Sequence, residues 1–178
     1  MSIGEYLQLE KASALKHEYV AGELYALAGA SDRHNRIAVN ITAQLWTAAR
    51  GGSYRVYGSD MRLRIGDDAM YYPDVQVVCD PADAQEQYKS SPCVVVEVLS
   101  PSTEMIDRRE KLVAYRSLSS LQAYIIVYRD QKRVLRYWRD QDSAWWDADV
   151  QGQGQVRFPC PDATLTLDEI YEGVSLPE

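Results

Sequence analysis

The chain has 178 residues, of which 46% are hydrophobic and 25% charged, a composition typical of a globular protein with a sizeable core. No apolar run approaches the roughly 20 residues of a membrane-spanning helix, and the first residues lack the basic and apolar segments of a signal peptide. The formal net charge of −7 argues against a general nucleic-acid binder. We therefore expect one domain over residues 1–178, a cytoplasmic location and no membrane partner.

The charge and the cysteines refine this expectation. Residues 102–139 hold nine basic and four acidic side chains, whereas residues 140–178 hold one and nine. The basic segment is either a solvated face or a surface that steers a polyanion. Cys79, Cys93 and Cys160 show no CxxC spacing, and two histidines are too few to complete a zinc site. We expect reduced cysteines in the core of a cytoplasmic protein.

The N-terminal third predicts a helix, a hairpin and a second helix. Ser2 and Glu5 fit a capping box, which predicts a helix over residues 3–10. Two alternating runs around Ala21-Gly22 predict a β-hairpin. Ser31-Asp32 then caps a helical pattern to about Arg50, and its apolar stripe comprises Ile37, Ala38, Ile41, Leu45 and Ala48.

The remainder predicts strands with one helix between them. Extended chain is expected over residues 54–65, 70–80 and 93–99, and a helix over about 104–118. Buried and antiparallel strands follow, in the segments "AYIIVYRD", "KRVLRYWRD" and "SAWWDADV". This order predicts an α/β (α+β) fold in which a mixed sheet is flanked by helices, with an N-terminal hairpin and a C-terminal antiparallel extension.

Two carboxylates interrupt the apolar strands. Asp74 precedes Val75, and Glu97 stands in the middle of the valine-rich run that begins at Cys93. If these strands pair, both carboxylates point into one small space, where they need a proton, a basic side chain or a metal ion. Mg²⁺ suits two carboxylates completed by water and phosphate oxygens. The alternatives are a turn role for Asp74 and a buried arginine partner for Glu97.

Several segments carry a resemblance to a known family. Pro73-Asp74 followed by Glu97-Val98-Leu99 resembles the motif of the PD-(D/E)XK nuclease superfamily. More closely, the chain resembles the Uma-two family of restriction-endonuclease-like proteins over roughly residues 3–170. The segments that carry this closer resemblance are "KHEYVAGELYALAGAS", "YPDVQVV", "VVVEVLSPST" and "DRREKLVAYRS".

The resemblance implies a restriction-endonuclease-like core, a dimer, and a phosphodiesterase that depends on Mg²⁺ or Mn²⁺. Asp74 and Glu97 match the metal-binding acids of the motif. Leu99 stands where the superfamily motif has lysine, which puts catalysis in question unless another cation replaces it. The resemblance suggests Lys111 on the following helix for that role. The alternative is a surface pair of Lys111 with Asp107, four residues earlier. On this helix Ile106, Leu112 and Val113 are expected to face the core.

Further polar residues are candidates near the site. His34 lies one turn ahead of the apolar stripe and is either a substrate contact or a structural histidine. Glu23, like Glu18, is either a third acid or a solvated hairpin charge. Gln76 shares a strand face with Asp74 and could orient water or a ligand.

The functional hypothesis is a metal-dependent endonuclease that hydrolyses DNA, with Asp74, Glu97 and Lys111 as its catalytic residues. The alternative is a non-catalytic dimeric binding or assembly module on a nuclease fold, which Leu99 and the negative net charge favour. A cation site without turnover is a third hypothesis. The position of the Lys111 ammonium discriminates the first two: burial near Asp74 and Glu97 favours the enzyme, and a solvent-exposed pair with Asp107 favours the module.

Overall fold

The computed structural model describes residues 1–99 and 104–177. The segment Ser100-Pro101-Ser102-Thr103, expected to separate strand from helix, lies outside these residues. Four α-helices and one π-helical turn occur in the described part: α1 (Ile3–Ala12), α2 (Asp32–Ala49), the π turn (Ile106–Glu110), α3 (Lys111–Arg116) and α4 (Leu167–Ile170). None of these helices is long and apolar enough to cross a membrane.

Thirteen strands in the same residues form three sheets. A five-stranded sheet has the order β2-β1-β5-β4-β7, a six-stranded sheet the order β11-β10-β9-β8-β6-β3, and β12 pairs with β13. The strands are β1 (His17–Val20), β2 (Glu23–Ala26), β3 (Arg55–Gly58), β4 (Arg62–Ile65), β5 (Ala69–Tyr71), β6 (Val75–Val78), β7 (Tyr88–Lys89), β8 (Pro92–Leu99), β9 (Ala123–Tyr128), β10 (Arg133–Arg139), β11 (Trp145–Gln151), β12 (Gln155–Pro159) and β13 (Asp162–Thr166).

The six-stranded sheet is mixed, because β8 and β9 run parallel while its other neighbouring strands run antiparallel. This confirms the expected fold class. The N-terminal hairpin and the C-terminal extension are also present, as β1–β2 and β10–β11. The expected continuous strands over residues 54–65 and 70–80 are each broken, and their two halves belong to different sheets.

The N-terminal elements follow from local sequence signals. Ser2 and Glu5 form the expected capping box at α1. Ala21 and Gly22 turn the first hairpin with φ of 49° and 96°, the left-handed conformation that two-residue hairpin loops require. Helix α2 begins after Ser31, whose side chain accepts a hydrogen bond from the His34 amide. Its buried stripe ends at Ala49 and not at the expected Ala48.

The two faces of the six-stranded sheet are covered by different layers. One face packs its valines against α2 and the β12–β13 hairpin in the larger core cluster. The other face packs against residues of the five-stranded sheet and α3, in a second cluster that includes Val95, Leu99, Leu63 and Tyr115. The space between the two larger sheets therefore holds the side chains on the Val95 face of β8.

The expectation of reduced cysteines is wrong for two of the three. Cys93 and Cys160 form a disulfide, and their Cα atoms are 6.3 Å apart, within the usual range. Both belong to the larger core cluster, because Cys93 begins β8 and Cys160 follows β12 on the hairpin that packs nearby. They are 67 positions apart in the sequence, so no local pattern indicated this proximity. Cys79 is free.

Candidate functional site

Glu97 is buried between the two larger sheets. It lies on β8, a strand buried along its whole length, and alternation places it on the same face as Val95 and Leu99. Its Oε1 atom accepts a hydrogen bond of 2.7 Å from the Tyr115 hydroxyl and lies 3.1 Å from Nζ of Lys111. The burial of Glu97 among valines is thus explained by its basic partner Lys111 and its hydroxyl donor Tyr115, which offset the cost of desolvating the carboxylate.

The Lys111 ammonium lies among three carboxylates. Its Nζ atom is 3.0 Å from Glu18, 3.1 Å from Glu97 and 3.2 Å from Asp107. It also lies 5.2 Å from the centroid of the Tyr71 ring, which is close enough for a cation–π contact. Lys111 is only 5% exposed, so this group is a buried ionic cluster and not the surface pair that the alternative predicted.

The helix that carries Lys111 buries the face opposite to the one that its apolar residues predicted to be buried. Asp107, Lys111 and Tyr115 are buried, whereas Ile106 is 37% and Val113 73% exposed. Of the three residues expected to face the core, only Leu112 packs there, and it is partly buried against the second core cluster. The π turn over Ile106–Glu110 changes the phase of the helix before Lys111. The Tyr124 hydroxyl donates to the Asp107 carbonyl at 3.0 Å and satisfies this irregular backbone.

Asp74 lies where the chain passes from β5 in one sheet to β6 in the other. Val75 pairs with Val96 across β6 and β8, so the next antiparallel position places Asp74 opposite Glu97. The Asp74 carboxylate is held on both oxygens: the Val98 amide donates to Oδ2 at 2.7 Å, and Nε2 of His34 lies 2.7 Å from Oδ1. His34 at the start of α2 is therefore connected to the site through Asp74.

The other two candidates have different surroundings. Gln76 is fully buried, and its Nε2 atom donates to the Met61 carbonyl at 2.7 Å. Within the described residues its Oε1 atom has no hydrogen-bond partner. Glu23 is exposed on β2 and, within the residues that the structure describes, forms no ion pair with Lys111. Glu18 on β1 does contact Lys111, and it accepts a hydrogen bond from the Tyr72 amide.

The cluster carries more negative than positive charge. Burial raises the pKa of Glu97 well above its usual value, the Lys111 ammonium opposes this, and the carboxylates of Asp107, Asp74 and Glu18 add to the rise. Burial alone would lower the pKa of Lys111, but the carboxylates around it hold that pKa well above its usual value. Lys111 is therefore charged, and one positive charge faces several acids.

The excess of carboxylates fits a divalent cation. Among the described residues no group of three His, Cys, Asp or Glu side chains is already arranged around a metal position. Mg²⁺ needs fewer protein ligands than that, since one or two carboxylates plus water and phosphate oxygens complete its shell. Asp74 and Glu97 supply those two carboxylates from opposed strand positions. The donor set therefore fits Mg²⁺ or Mn²⁺.

Sequence reasoning undervalued two members of the cluster, Glu18 and Asp107, and left Tyr115 without a role. The available signal was the i, i+4, i+8 spacing of Asp107, Lys111 and Tyr115, which places all three on one helix face. The apolar residues on the opposite face outweighed that signal.

The residues of this site lie in a region that matches a known protein family. The sequence profile of the Uma2 family, described as "Putative restriction endonuclease", matches residues 3–173. This chain belongs to the Uma2 family. The match covers the carboxylates, Lys111 and His34, so the whole candidate site lies within the family's region.

Two relatives and one solved structure extend the comparison. The uncharacterized Synechocystis protein slr1290 is 34% identical over 98% of this chain and 93% of its own length. A second uncharacterized Synechocystis protein, sll1609, is 32% identical over 89% and 92%. A crystal structure from Anabaena variabilis, described as a putative nuclease belonging to DUF820, aligns with a TM-score of 0.78 at 16% identity, over 96% of this chain and 97% of that one. At that identity the likeness shows that the two chains share a fold.

Proposed function

We propose that this Uma2-family protein is a divalent-metal-dependent endonuclease that hydrolyses DNA phosphodiester bonds. Asp74 and Glu97 would hold Mg²⁺ or Mn²⁺, and Lys111 would supply the positive charge that the superfamily motif places at the position of Leu99. The observation that carries the proposal is the Lys111 ammonium, buried 3.1 Å from Glu97.

Leu99 itself cannot replace the motif lysine, because it is 4% exposed and packs in the second core cluster. Lys111 reaches Glu97 from α3 instead. A lysine on a long flexible stem can deliver its charge to the same strand end from a neighbouring element. The family membership and the fold support a nuclease, and the position of Lys111 supports one that retains its catalytic site.

Each residue has a distinct part in the proposed reaction. A divalent cation, when bound, would activate water and stabilise the charge on the phosphoryl oxygens. Lys111 and Tyr115 hold Glu97 in place through its Oε1 atom. The Val98 amide and Nε2 of His34 hold the Asp74 carboxylate, one at each of its oxygens, and orient it towards the metal position.

Basic side chains near this edge of the sheet support a polyanionic substrate. Arg129 directly follows β9, whose last residue pairs with Leu99 at the end of β8. Its guanidinium donates to Ser31 at 3.3 Å, beside Arg33 and His34. Arg108 and Arg109 are exposed on the π turn. Such arginines contact the phosphate backbone of nucleic acids without reading its sequence.

The test is cleavage of supercoiled plasmid and of labelled single strands in Mn²⁺, Mg²⁺ or EDTA. The Asp74→Asn variant keeps the size of the side chain but removes its charge, and we expect cleavage to fall by at least about 100-fold. Asp67→Asn is the matched control, since Asp67 is 84% exposed and its variant should cleave like the wild type.

Three results would be informative. Cleavage that needs a metal and is lost only in Asp74→Asn supports the proposal. Equal cleavage by wild type and Asp74→Asn contradicts the assignment of the site. Absence of cleavage, with a melting temperature that rises in Mn²⁺ only when Asp74 is present, indicates a cation site without hydrolysis.

One observation favours the non-catalytic binding module as the second candidate. Leu99 stands at the position of the motif lysine and is buried in the second core cluster, so the strand that carries Glu97 supplies no basic side chain of its own. For such a module, DNA binding would occur without cleavage and would not change in Asp74→Asn.

A further inference from the structure

Helix α2 carries an exposed stripe with the spacing of a coiled-coil seam. The residues follow one another at intervals of four, three, four, three and four, and they are Asp32, Arg36, Val39, Ala43, Trp46 and Arg50, the last of which caps the helix. Alternating steps of three and four keep side chains on one side of a helix and are the pattern of helices that pack in pairs.

This stripe lies opposite the face that α2 buries. Ile37, Ile41, Leu45 and Ala49 pack on the six-stranded sheet. On the outer side Val39 and Trp46 are each 55% exposed, although both are large apolar side chains. Exposed apolar residues in register along a helix mark an interaction surface more often than isolated ones do.

The stripe is complementary to itself. Asp32 and Arg50 lie nine positions either side of residue 41, Arg36 and Trp46 five positions, and Val39 and Ala43 two positions. A second α2 helix running antiparallel about position 41 therefore brings each residue opposite its counterpart. At both ends Asp32 of one copy then lies opposite Arg50 of the other. The Arg36 guanidinium lies opposite the Trp46 indole, and Val39 lies opposite Ala43 at the centre.

We propose that α2 is the interface of a two-fold homodimer, in which two copies of the helix pack antiparallel about position 41. The occupant is a second copy of this chain, because each charged or aromatic position finds its complement in the same helix reversed. A two-fold interface requires this self-complementarity of one patch. The inference is independent of the proposed nuclease activity.

The first test is the mass in solution across a dilution series, by sedimentation or light scattering. The wild type should have twice the 20.2 kDa mass of the chain. Trp46→Ala should weaken the dimer at least about tenfold, because a buried tryptophan anchor is lost at both symmetric positions. Trp146→Ala is the matched control, since Trp146 is 56% exposed on β11 and should leave the mass unchanged.

Charge reversal tests the register. Asp32→Arg places two positive charges opposite each other at both ends and should shift the protein to monomer, whereas the double variant Asp32→Arg/Arg50→Asp restores opposite charges and should recover the dimer. Dissociation in Trp146→Ala with retention in Trp46→Ala would place the interface on the C-terminal extension and overturn the proposal. A monomeric wild type would also overturn it.

Cysteine cross-linking tests the direction. An antiparallel pair brings position 39 of one copy to position 43 of the other, so Val39→Cys/Ala43→Cys should form an intermolecular disulfide under mild oxidation. Neither single variant should do so, and each retains Cys79 as an internal control. Cross-linking in the single variants would indicate a parallel pair and contradict the proposal.

Discussion

At the scale of single residues, the site shows how a carboxylate can be buried in a valine strand. Glu97 is 4% exposed, yet it has a buried ammonium and a phenolic hydroxyl as partners. The sequence predicted that Glu97 needs a proton, a basic side chain or a metal ion, and the family resemblance suggested Lys111 as the replacement for the motif lysine. The sequence could not show that Glu18 and Asp107 would share the same ammonium, because these contacts join elements that are far apart in the chain.

Replacement of Lys111 by Met should reduce the free energy of unfolding by about 3–5 kcal/mol, because three buried carboxylates then lose their counter-charge. Lys132→Met is the matched control: Lys132 pairs with Asp168 at the surface, with side chains 36% and 82% exposed. Exposed pairs contribute about 0–1 kcal/mol. Urea denaturation of both variants measures the difference, and equal losses would contradict a stabilising role of the buried cluster.

At the scale of elements, α3 and the π turn before it are where periodicity was least informative. The apolar residues predicted that Ile106 and Val113 face the core. The regular period did separate the two faces of this helix, but it could not show that the face with Asp107, Lys111 and Tyr115 is the buried one. The burial of the ionic cluster determines which face is inside. In α2, which has no such irregularity, the same reasoning placed three of five stripe residues, Ile37, Ile41 and Leu45, in the core.

Alanine substitutions test this reversal of faces. Tyr115→Ala should cost about 3–5 kcal/mol, because it leaves a cavity in the second core and removes the hydroxyl donor of Glu97. Val113→Ala should change stability by no more than about 0.5 kcal/mol, since Val113 is 73% exposed. Denaturant midpoints give both values. A larger loss for Val113→Ala than for Tyr115→Ala would show that α3 packs with its apolar face inward.

At the scale of the whole molecule, the sequence predicted the strands better than their assignment to sheets. Residues 70–80 were expected to form one strand, but Pro73-Asp74 breaks it, and β5 and β6 enter different sheets. That break is what brings Asp74 between the sheets, opposite Glu97. Strand pairing depends on contacts between distant segments, which alternation within one segment does not specify.

The disulfide is a covalent contact between two such distant segments. Cys93 and Cys160 close a loop of 67 positions in sequence, so in the chain-entropy description their bond should stabilise the protein by about 4 kcal/mol. Cys160→Ala should therefore lower the free energy of unfolding in non-reducing buffer by about 2–5 kcal/mol. Cys79→Ala is the control, because Cys79 is free and only partly buried. Urea denaturation in the absence and presence of a strong reductant separates the cross-link from the loss of packing at Cys160. If the bond forms, full reduction destabilises the wild type and leaves Cys160→Ala unchanged, whereas equal responses of the two proteins would contradict it.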